Sequence, residues 1–229
     1  MSTTTGQDII PNYHMLIRKD ILPLIPKMGG TLLDVGGGVG ATAALLKKSG
    51  YVEKAGVVDL VIDEARSLDL NFRYAVNLDS PDALDKVFVE NGPFSIILCL
   101  DVLEHLVDPW SLIKRLHAML EPNGIVVASI PNIRYYRASF PLFFQGKWEL
   151  EDSGIRDRTH LRWFVKKTAK ELMGTSGMAL ELCISKRAGG RRVRLFQKLT
   201  FGLFDDFTSI QFLIRARNVS LPPIFRSSE

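Results

Sequence analysis

Short apolar runs alternate with amphipathic stretches along most of the chain. Strand-like runs of four to eight residues cover positions 32–35, 55–60, 72–79, 94–100 and 125–130; the run 94–100 is almost entirely apolar, and the others are apolar-rich with an acidic or polar residue at or near the end of several. Helix-like patterns follow them at 41–48, 62–68, 81–90 and 110–120. Continuous apolar runs are typical of parallel strands that are buried on both faces. The alternation of strand and helix therefore predicts an α/β fold with a doubly wound parallel sheet.

The remaining segments predict additions to this sheet within one domain, 1–229. An amphipathic helix pattern at 8–27 contains Pro11 and Pro23 and predicts a helix that caps the sheet or a cleft beside it. Residues 30–131 form the predicted ligand-binding core. Residues 132–165 are predicted to be an irregular, substrate-side lid, and 166–229 to hold a helix, two strands and a basic amphipathic insertion.

Composition indicates the class of protein and the cellular compartment. The 229 residues are 46% hydrophobic and 24% charged, with a formal net charge of +4, which is ordinary for a globular domain. No apolar run has the length of a membrane span, and residues 1–6 lack a signal-peptide core. Cys99 and Cys183 lie far apart in strand-like runs and are interpreted as buried thiols in a reducing compartment. These features predict a cytoplasmic protein.

A glycine-rich turn follows the first predicted strand and precedes a helix. Gly36, Gly38 and Ala41 satisfy the dinucleotide pattern, whereas Asp34, Gly36, Gly38 and Gly40 satisfy the pattern for S-adenosylmethionine (SAM). A carboxylate beside a pyrophosphate is repelled, but one beside a sulfonium and an ammonium group is attracted. Asp34 therefore favours SAM. A purely structural glycine-rich loop is the alternative.

Acidic residues follow the second and third predicted strands. Asp59, just before Leu60, is placed where a carboxylate accepts from both ribose hydroxyls, and its alternative role is to cap the helix 62–68. Asp79, after Asn77 and Leu78, is either an acceptor for an adenine amino group or a cap for the helix 81–90.

Together these residues resemble class I SAM-dependent methyltransferases. The motifs are 34–40, Val58-Asp59, Asn77-Leu78-Asp79, Asp101-Val102-Leu103-Glu104-His105-Leu106 and Ile130-Pro131-Asn132. The segment 154–164, with Asp157-Arg158-Thr159-His160-Leu161-Arg162, is similar to a box found in a subgroup that often acts in glycan, lipopolysaccharide or ubiquinone-like pathways. Ser95 and Gly37 depart from the usual residues of that family.

The resemblance implies a seven-stranded, Rossmann-like methyltransferase sheet that ends in an antiparallel hairpin, 178–187 and 209–217. It also implies SAM as the cofactor. The cofactor-binding residues that it implies are Asp34, Gly36, Gly37, Gly38, Gly40, Asp59, Leu60, Asn77, Leu78, Asp79, Leu100, Asp101, Val102 and His105.

Two histidines are candidates for a general base, because imidazole titrates near neutral pH. His105 follows the fourth strand and is expected to face the cleft, and His160 lies in the box beside Asp157. These three are the predicted catalytic residues, with a structural hydrogen-bonding role as the alternative. No cluster in the sequence has metal-ligand spacing, so no metal site is predicted.

Two basic stretches in the sequence indicate which kinds of acceptor or surface the protein could bind. One runs from Arg156 to Lys170, and the other, 186–204, alternates cations with Leu and Phe in the pattern of an amphipathic helix. The second is compatible with a phosphate-bearing acceptor, with peripheral contact to an anionic membrane, or with a solvated face. No nucleic-acid-binding module is recognised. The oligomeric state is not predicted.

These observations predict a SAM-dependent methyltransferase acting on oxygen of a glycan, a lipid-linked molecule or another small hydroxylated acceptor. One alternative is a SAM-binding regulatory or partner protein without turnover. The other is an NAD-dependent oxidoreductase, against which Asp34 argues.

Overall fold

A seven-stranded sheet forms the centre of the protein. The computed structural model describes residues 16–62, 68–188, 190, 193, 195, 198–201 and 203–219. The strands are β1 (Thr31–Val35), β2 (Lys54–Asp59), β3 (Phe72–Ala75), β4 (Phe94–Leu100), β5 (Leu120–Pro131), β6 (Ala179–Arg187) and β7 (Ser209–Arg217). Their order is β3-β2-β1-β4-β5-β7-β6, with β7 antiparallel to both of its neighbours. This confirms the predicted fold class, including the antiparallel pair at the C-terminal end.

Helices cover both faces of the sheet. They are α1 (Ala41–Lys48), α2 (Asp85–Asn91), α3 (Pro109–Ala118), α4 (Tyr136–Gln145), α5 (Lys166–Met173) and α6 (Asp205–Thr208), with short 3-10 segments at Lys19–Leu24, Leu103–His105 and Thr175–Gly177. Two apolar clusters fill the two interfaces, one containing Phe94 and Phe212 and the other Leu32 and Leu98. The apolar runs therefore form strands because both of their faces are buried.

The parallel register aligns the ends of the strands. Val35 pairs with both Val58 and Cys99, and Leu100 pairs with Ser129, so β1, β2, β4 and β5 end along one edge of the sheet. We call this the carboxyl edge. Ligands of open α/β sheets bind outside this edge, because the loops that follow the strands converge there.

Several local predictions are wrong. Segment 132–165 is not wholly irregular, since it contains α4. Of the N-terminal helix predicted at 8–27, the described part holds only a 3-10 segment with Pro23 inside it. The helix predicted from position 81 begins at Asp85, and Cys183 is half-buried where burial was expected. Parts of three predicted segments lie outside the described residues. They are the first part of the N-terminal helix, the middle of the helix predicted at 62–68 and much of the basic insertion.

Among the residues that the structure describes, no helix combines the length and the apolar character needed to cross a bilayer.

Candidate active site

The turn after β1 is built on left-handed glycines. Gly36, Gly38 and Gly40 have φ angles of 66°, 58° and 77°, a region that other residues enter only with strain. Gly40 is the N-cap of α1. A Cβ atom at Gly36 would overlap the side chain of Val102, so the turn also lies against the loop after β4. The glycines are therefore required both by the backbone angles and by close packing.

Asp34 lies beneath this turn. Its side chain is buried, and a Cβ atom at Gly37 would overlap its carboxyl group. Oδ1 has no hydrogen-bond partner among the described residues. Burial, reinforced by the nearby charge of Asp59, raises the pKa of Asp34 to about 7. The carboxyl group thus lies under the turn instead of opening toward a ligand, and its contact with a cofactor stays a prediction.

Asp59 joins the end of β2 to the glycine turn. Its Oδ2 accepts a hydrogen bond from the Gly38 N–H at 2.8 Å, and Oδ1 accepts from the Val61 N–H at 3.4 Å. Each carboxylate oxygen has a further lone pair for a ligand hydroxyl. Leu60 and Val61 are largely exposed beside it. A carboxylate next to an open apolar surface suits a ligand with hydroxyl groups and a flat ring.

The loop after β3 is held to the loop after β4. Asp79 accepts from the Val107 N–H at 3.0 Å, while the Arg115 guanidinium donates to the carbonyls of Leu78 and Ser80 at 3.1 and 2.8 Å. Asn77 accepts from the Asp79 N–H at 3.1 Å. Asp79 therefore braces two loops and does not cap α2, whose N-cap is Leu84.

An ionic network occupies the end of β4. Asp101, in a left-handed conformation, is hydrogen-bonded by Arg18, by Gln211 and by the Ser129 hydroxyl. Arg18 also pairs with Asp20 at 2.9 Å. Burial raises the pKa of Asp20, but the hydrogen bonds from Arg18 and Lys186 outweigh burial and lower this pKa to about 2. The network thus joins the N-terminal segment to β4, β5, β6 and β7.

His105 is fixed by the box that follows α4. Its Nδ1 lies 3.0 Å from the Thr159 hydroxyl and 3.3 Å from the Thr159 carbonyl. The Thr159 hydroxyl donates to Asp157 at 2.7 Å, so it can only accept from His105. Neutral His105 therefore carries its proton on Nδ1 and its lone pair on Nε2. Burial raises the pKa of Asp157, but the hydrogen bonds from Thr159 outweigh it and lower the pKa.

Glu104 and His160 form a buried pair behind His105. Glu104 is 1% exposed, and neither carboxylate oxygen has a hydrogen-bond partner among the described residues. Burial raises its pKa well above the ordinary value, as the charge of Asp101 also does. Its Oε1 lies 4.0 Å from Nε2 of His160, whose Nδ1 donates to the Ile155 carbonyl at 3.1 Å. Burial and His105 lower the pKa of His160. Burial therefore favours the neutral form of both groups.

The fold brings together three metal-ligand side chains that are not grouped in sequence. Atoms of Glu104, His105 and His160 lie within 4.8 Å of one another, and the two imidazole rings meet edge to face with centroids 4.6 Å apart. Donor spacing in the sequence was the ground for predicting no metal site. Spacing along the sequence does not register this group, because His160 reaches the other two residues through the tertiary fold, and the absence of a metal site stays a prediction.

The predicted site residues thus divide into groups along one edge. The turn, Asp59 and the loop at Asp79 are linked to each other, and His105, Asp157 and His160 form a second cluster after β4. Sequence reasoning missed Arg18, Glu104, Thr159 and Gln211. Arg18 lies 83 positions from Asp101, so no local pattern indicates their pairing. Glu104 stood within a quoted motif, and its place directly before His105 was the available signal.

The sequence also matches characterised families. A family model described as a methyltransferase domain matches residues 12–182. A ubiquinone biosynthesis O-methyltransferase of Pseudomonas paraeruginosa is 31% identical over 105 residues, which are 45% of each chain. The protein of the same name from Hydrogenovibrio crunogenus is 32% identical over 106 residues, 46% of this chain and 44% of that one. The aligned region spans less than half of these relatives.

Solved structures show the same fold at low identity. A SAM-dependent methyltransferase from Mesorhizobium loti aligns with a TM-score of 0.56 at 17% identity, covering 86% of this chain and 95% of that chain. One from Methanosarcina mazei aligns with a TM-score of 0.59 at 15% identity, covering 90% and 100%. Because the matching family model spans more than half of the sequence, from residue 12 to 182, this chain belongs to the methyltransferase-domain family.

Proposed function

We propose that this protein is a SAM-dependent methyltransferase that methylates a hydroxyl oxygen on a glycan, a lipid-linked molecule or another small acceptor. The observation that carries the proposal is the fixed tautomer of His105 at the carboxyl edge. Its Nδ1 is tied to Thr159, and Nε2 has no hydrogen-bond partner in the described part of the chain. A neutral imidazole with a free Nε2 lone pair is suited to take a proton from a hydroxyl group.

The residues at the turn fit SAM. Asp59 has lone pairs for ribose hydroxyls, and the exposed Leu60 and Val61 offer an apolar surface for adenine. SAM is preferred to a nicotinamide dinucleotide because the family model that matches residues 12–182 is a methyltransferase domain. Bound SAM supplies an electrophilic methyl group on a sulfonium.

The protein's own contribution is to hold and deprotonate the acceptor. With SAM bound as the methyl donor, Nε2 of His105 would take the proton of the acceptor hydroxyl group. Thr159 and Asp157 hold the imidazole in the required orientation. His160 is a less suitable base, because it is buried and its Nδ1 is committed to Ile155. Proximity of the two reactants supplies much of the rate in such a displacement.

The names of the relatives support oxygen as the acceptor atom, since they are O-methyltransferases. The box at 154–162 supports the same subgroup, and its contacts with His105 give it a role in the site. The acceptor itself is not indicated by a known motif.

Calorimetric titration with SAM, and separately with NADH, tests the proposal. We expect the wild-type protein to bind SAM and not NADH. Asp59→Ala should weaken SAM binding by about tenfold or more, because charge-assisted hydrogen bonds to the ribose are lost. The matched control is Asp69→Ala, which removes an exposed carboxylate paired with Lys47. NADH binding without SAM binding would overturn the proposal.

Turnover is then measured with methyl-labelled SAM and a panel of polyhydroxylated phenols and glycans. Label in an ether product supports methyl transfer to oxygen. SAM binding with no label transferred to any acceptor would favour the SAM-binding regulatory protein instead.

A further inference from the structure

Two segments leave the carboxyl edge next to each other. β5 ends at Pro131, which pairs with Gln211, and β6 ends at Arg187, which pairs with Ser209. Segment 132–148, containing α4, and the insertion 188–208 therefore begin from β5 and β6, the two strands that flank β7. The Asn132 amide donates to the Ser209 carbonyl at 2.8 Å, and the Arg134 guanidinium lies 4.5 Å from the centre of the Phe207 ring. These contacts hold the two segments together at the edge that carries His105.

Both segments expose large apolar side chains. α4 buries only Ala138 and Ser139, and it leaves Phe143 and Phe144 75% and 74% exposed. In the insertion, Phe201 and Leu203 are 94% and 81% exposed. Large apolar groups are rarely left in water in such density unless they contact another surface. We call these exposed residues of the two segments the edge patch.

The charges of the two segments are mostly basic. Segments 132–148 and 188–208 together contain seven Lys and Arg residues and two acidic residues, Asp205 and Asp206, in a chain that has 29 basic and 25 acidic residues. Arg134 pairs with Asp206 at 3.4 Å. Arg137 donates to the Tyr136 hydroxyl, and neither it nor Lys147 has an acidic partner among the described residues. The patch is therefore both apolar and basic.

We propose that the edge patch docks the protein on an anionic lipid bilayer. Aromatic and aliphatic side chains that enter the acyl boundary, flanked by cations that meet the headgroups, are what interfacial binding requires. A second copy of this chain fits less well, since a symmetric contact would bring the cations of one copy against those of the other. An RNA would use the cations but would leave Leu142, Leu199 and Leu203 without stacking partners.

Docking in this orientation turns the carboxyl edge toward the membrane. His105 and the turn at Gly36 lie along the same edge as β5, so an acceptor anchored in the bilayer would reach them from the lipid side. This consequence rests on the proposed function. It selects, among the hydroxylated acceptors, a molecule with a polar head and an apolar tail.

Vesicle sedimentation tests the proposal with the full-length protein. We expect it to sediment with vesicles of equal phosphatidylcholine and phosphatidylglycerol, and much less with phosphatidylcholine alone. Raising the salt concentration should weaken the binding, because headgroup attraction is screened. The double variants Phe143→Ser/Phe144→Ser and Leu199→Gln/Leu203→Gln should each lower the affinity for the anionic vesicles by about tenfold or more.

The matched control is Val89→Ser, which removes a similarly exposed apolar side chain from α2, outside the two segments. It should bind vesicles like the wild type. SAM titration of every variant shows whether the fold and the cofactor site are intact, so a failure of membrane binding is distinguished from a failure of the proposed function. Equal binding to neutral vesicles, undiminished binding by both double variants, or binding of polyuridylate in place of vesicles would overturn the proposal.

Discussion

The environment of Asp34 favours its neutral form. Burial and Asp59 raise its pKa from 3.8 to about 7 in the folded protein. Between these values the folded state binds more protons than the unfolded state, so the free energy of unfolding falls as the pH rises. We expect Asp34→Asn to stabilise the protein by about 1–2 kcal/mol near pH 8 and to give no such gain near pH 4. Thermal melts of both proteins across this range measure the difference.

Asp69→Asn is the control for this experiment, since Asp69 is exposed and lies outside the turn. It should melt like the wild type at both pH values. A stability difference for Asp34→Asn that is independent of pH would show that the buried carboxyl group is not the source.

His105 is the residue on which turnover should depend. Replacing it by Gln removes the Nε2 lone pair, and general-base catalysis contributes about 10²–10⁴-fold to a rate. We therefore expect His105→Gln to lower kcat by about that factor and to leave the dissociation constant of SAM nearly unchanged. His117→Gln is the matched control, because His117 contacts Asn218 near the start of β5. Turnover by His105→Gln at the wild-type rate would assign the proton transfer to another group.

The loop after β4 and the box 154–162 act as one element through Glu104. Its carbonyl accepts the N–H groups of Leu161 and Arg162 at 2.8 and 2.9 Å, and its side chain lies buried against His160. With its folded pKa well above 4.5, Glu104 loses stabilising free energy as the pH rises above that value. We expect Glu104→Gln, which keeps the shape but cannot ionise, to flatten this dependence with little cost near neutral pH.

Glu104→Ala should instead cost about 2 kcal/mol or more at every pH, because it leaves a cavity beside His160. Urea denaturation at several pH values compares the two variants. Equal destabilisation by Gln and by Ala would mean that Glu104 is ionised in the folded protein.

The strands were the most predictable elements. Runs such as 94–100 are buried on both faces, and only a central strand accommodates them. The glycine turn was predictable as well, because left-handed angles at Gly36, Gly38 and Gly40 require that residue type. Predicted and observed hairpin strands agree to within one residue, Ala179 replacing Met178 at the start of β6.

Elements stabilised from elsewhere in the chain were not predictable. α4 contains Pro141 and buries only two residues, so it has little helical periodicity. The residues just before α4 help to fix it in place, since Asn132 and Arg134 contact Asp206 more than 70 positions away. The cluster of Glu104, His105 and His160 depends likewise on a pairing of distant segments. Local patterns carry no information about such contacts.

At the scale of the whole molecule, one ionic network ties the N-terminal segment to the sheet. Arg18 and Asp101 are both largely buried, and Ser129 and Gln211 complete the hydrogen bonds of the carboxylate. Removing one partner of a buried ion pair leaves a charge that is neither paired nor hydrated, which costs more than replacing both. The network therefore makes the N-terminal segment part of the folding unit, at the edge where the candidate site lies.

A double-mutant cycle tests this coupling. We expect Arg18→Gln alone to lower the free energy of unfolding by about 3 kcal/mol, because Asp101 stays buried with its charge. Asp101→Asn restores neutrality in the double variant, which should then be less destabilised than the sum of the two single changes by about 1–3 kcal/mol. Arg73→Gln, which removes an arginine that donates to the Leu68 carbonyl, is the control that should show additive behaviour with Asp101→Asn. If Arg18→Gln and Asp101→Asn are also additive, the two charges do not stabilise each other, and the N-terminal segment is held by its other contacts, such as the Lys186–Asp20 pair and the packing of Ile21 and Leu24.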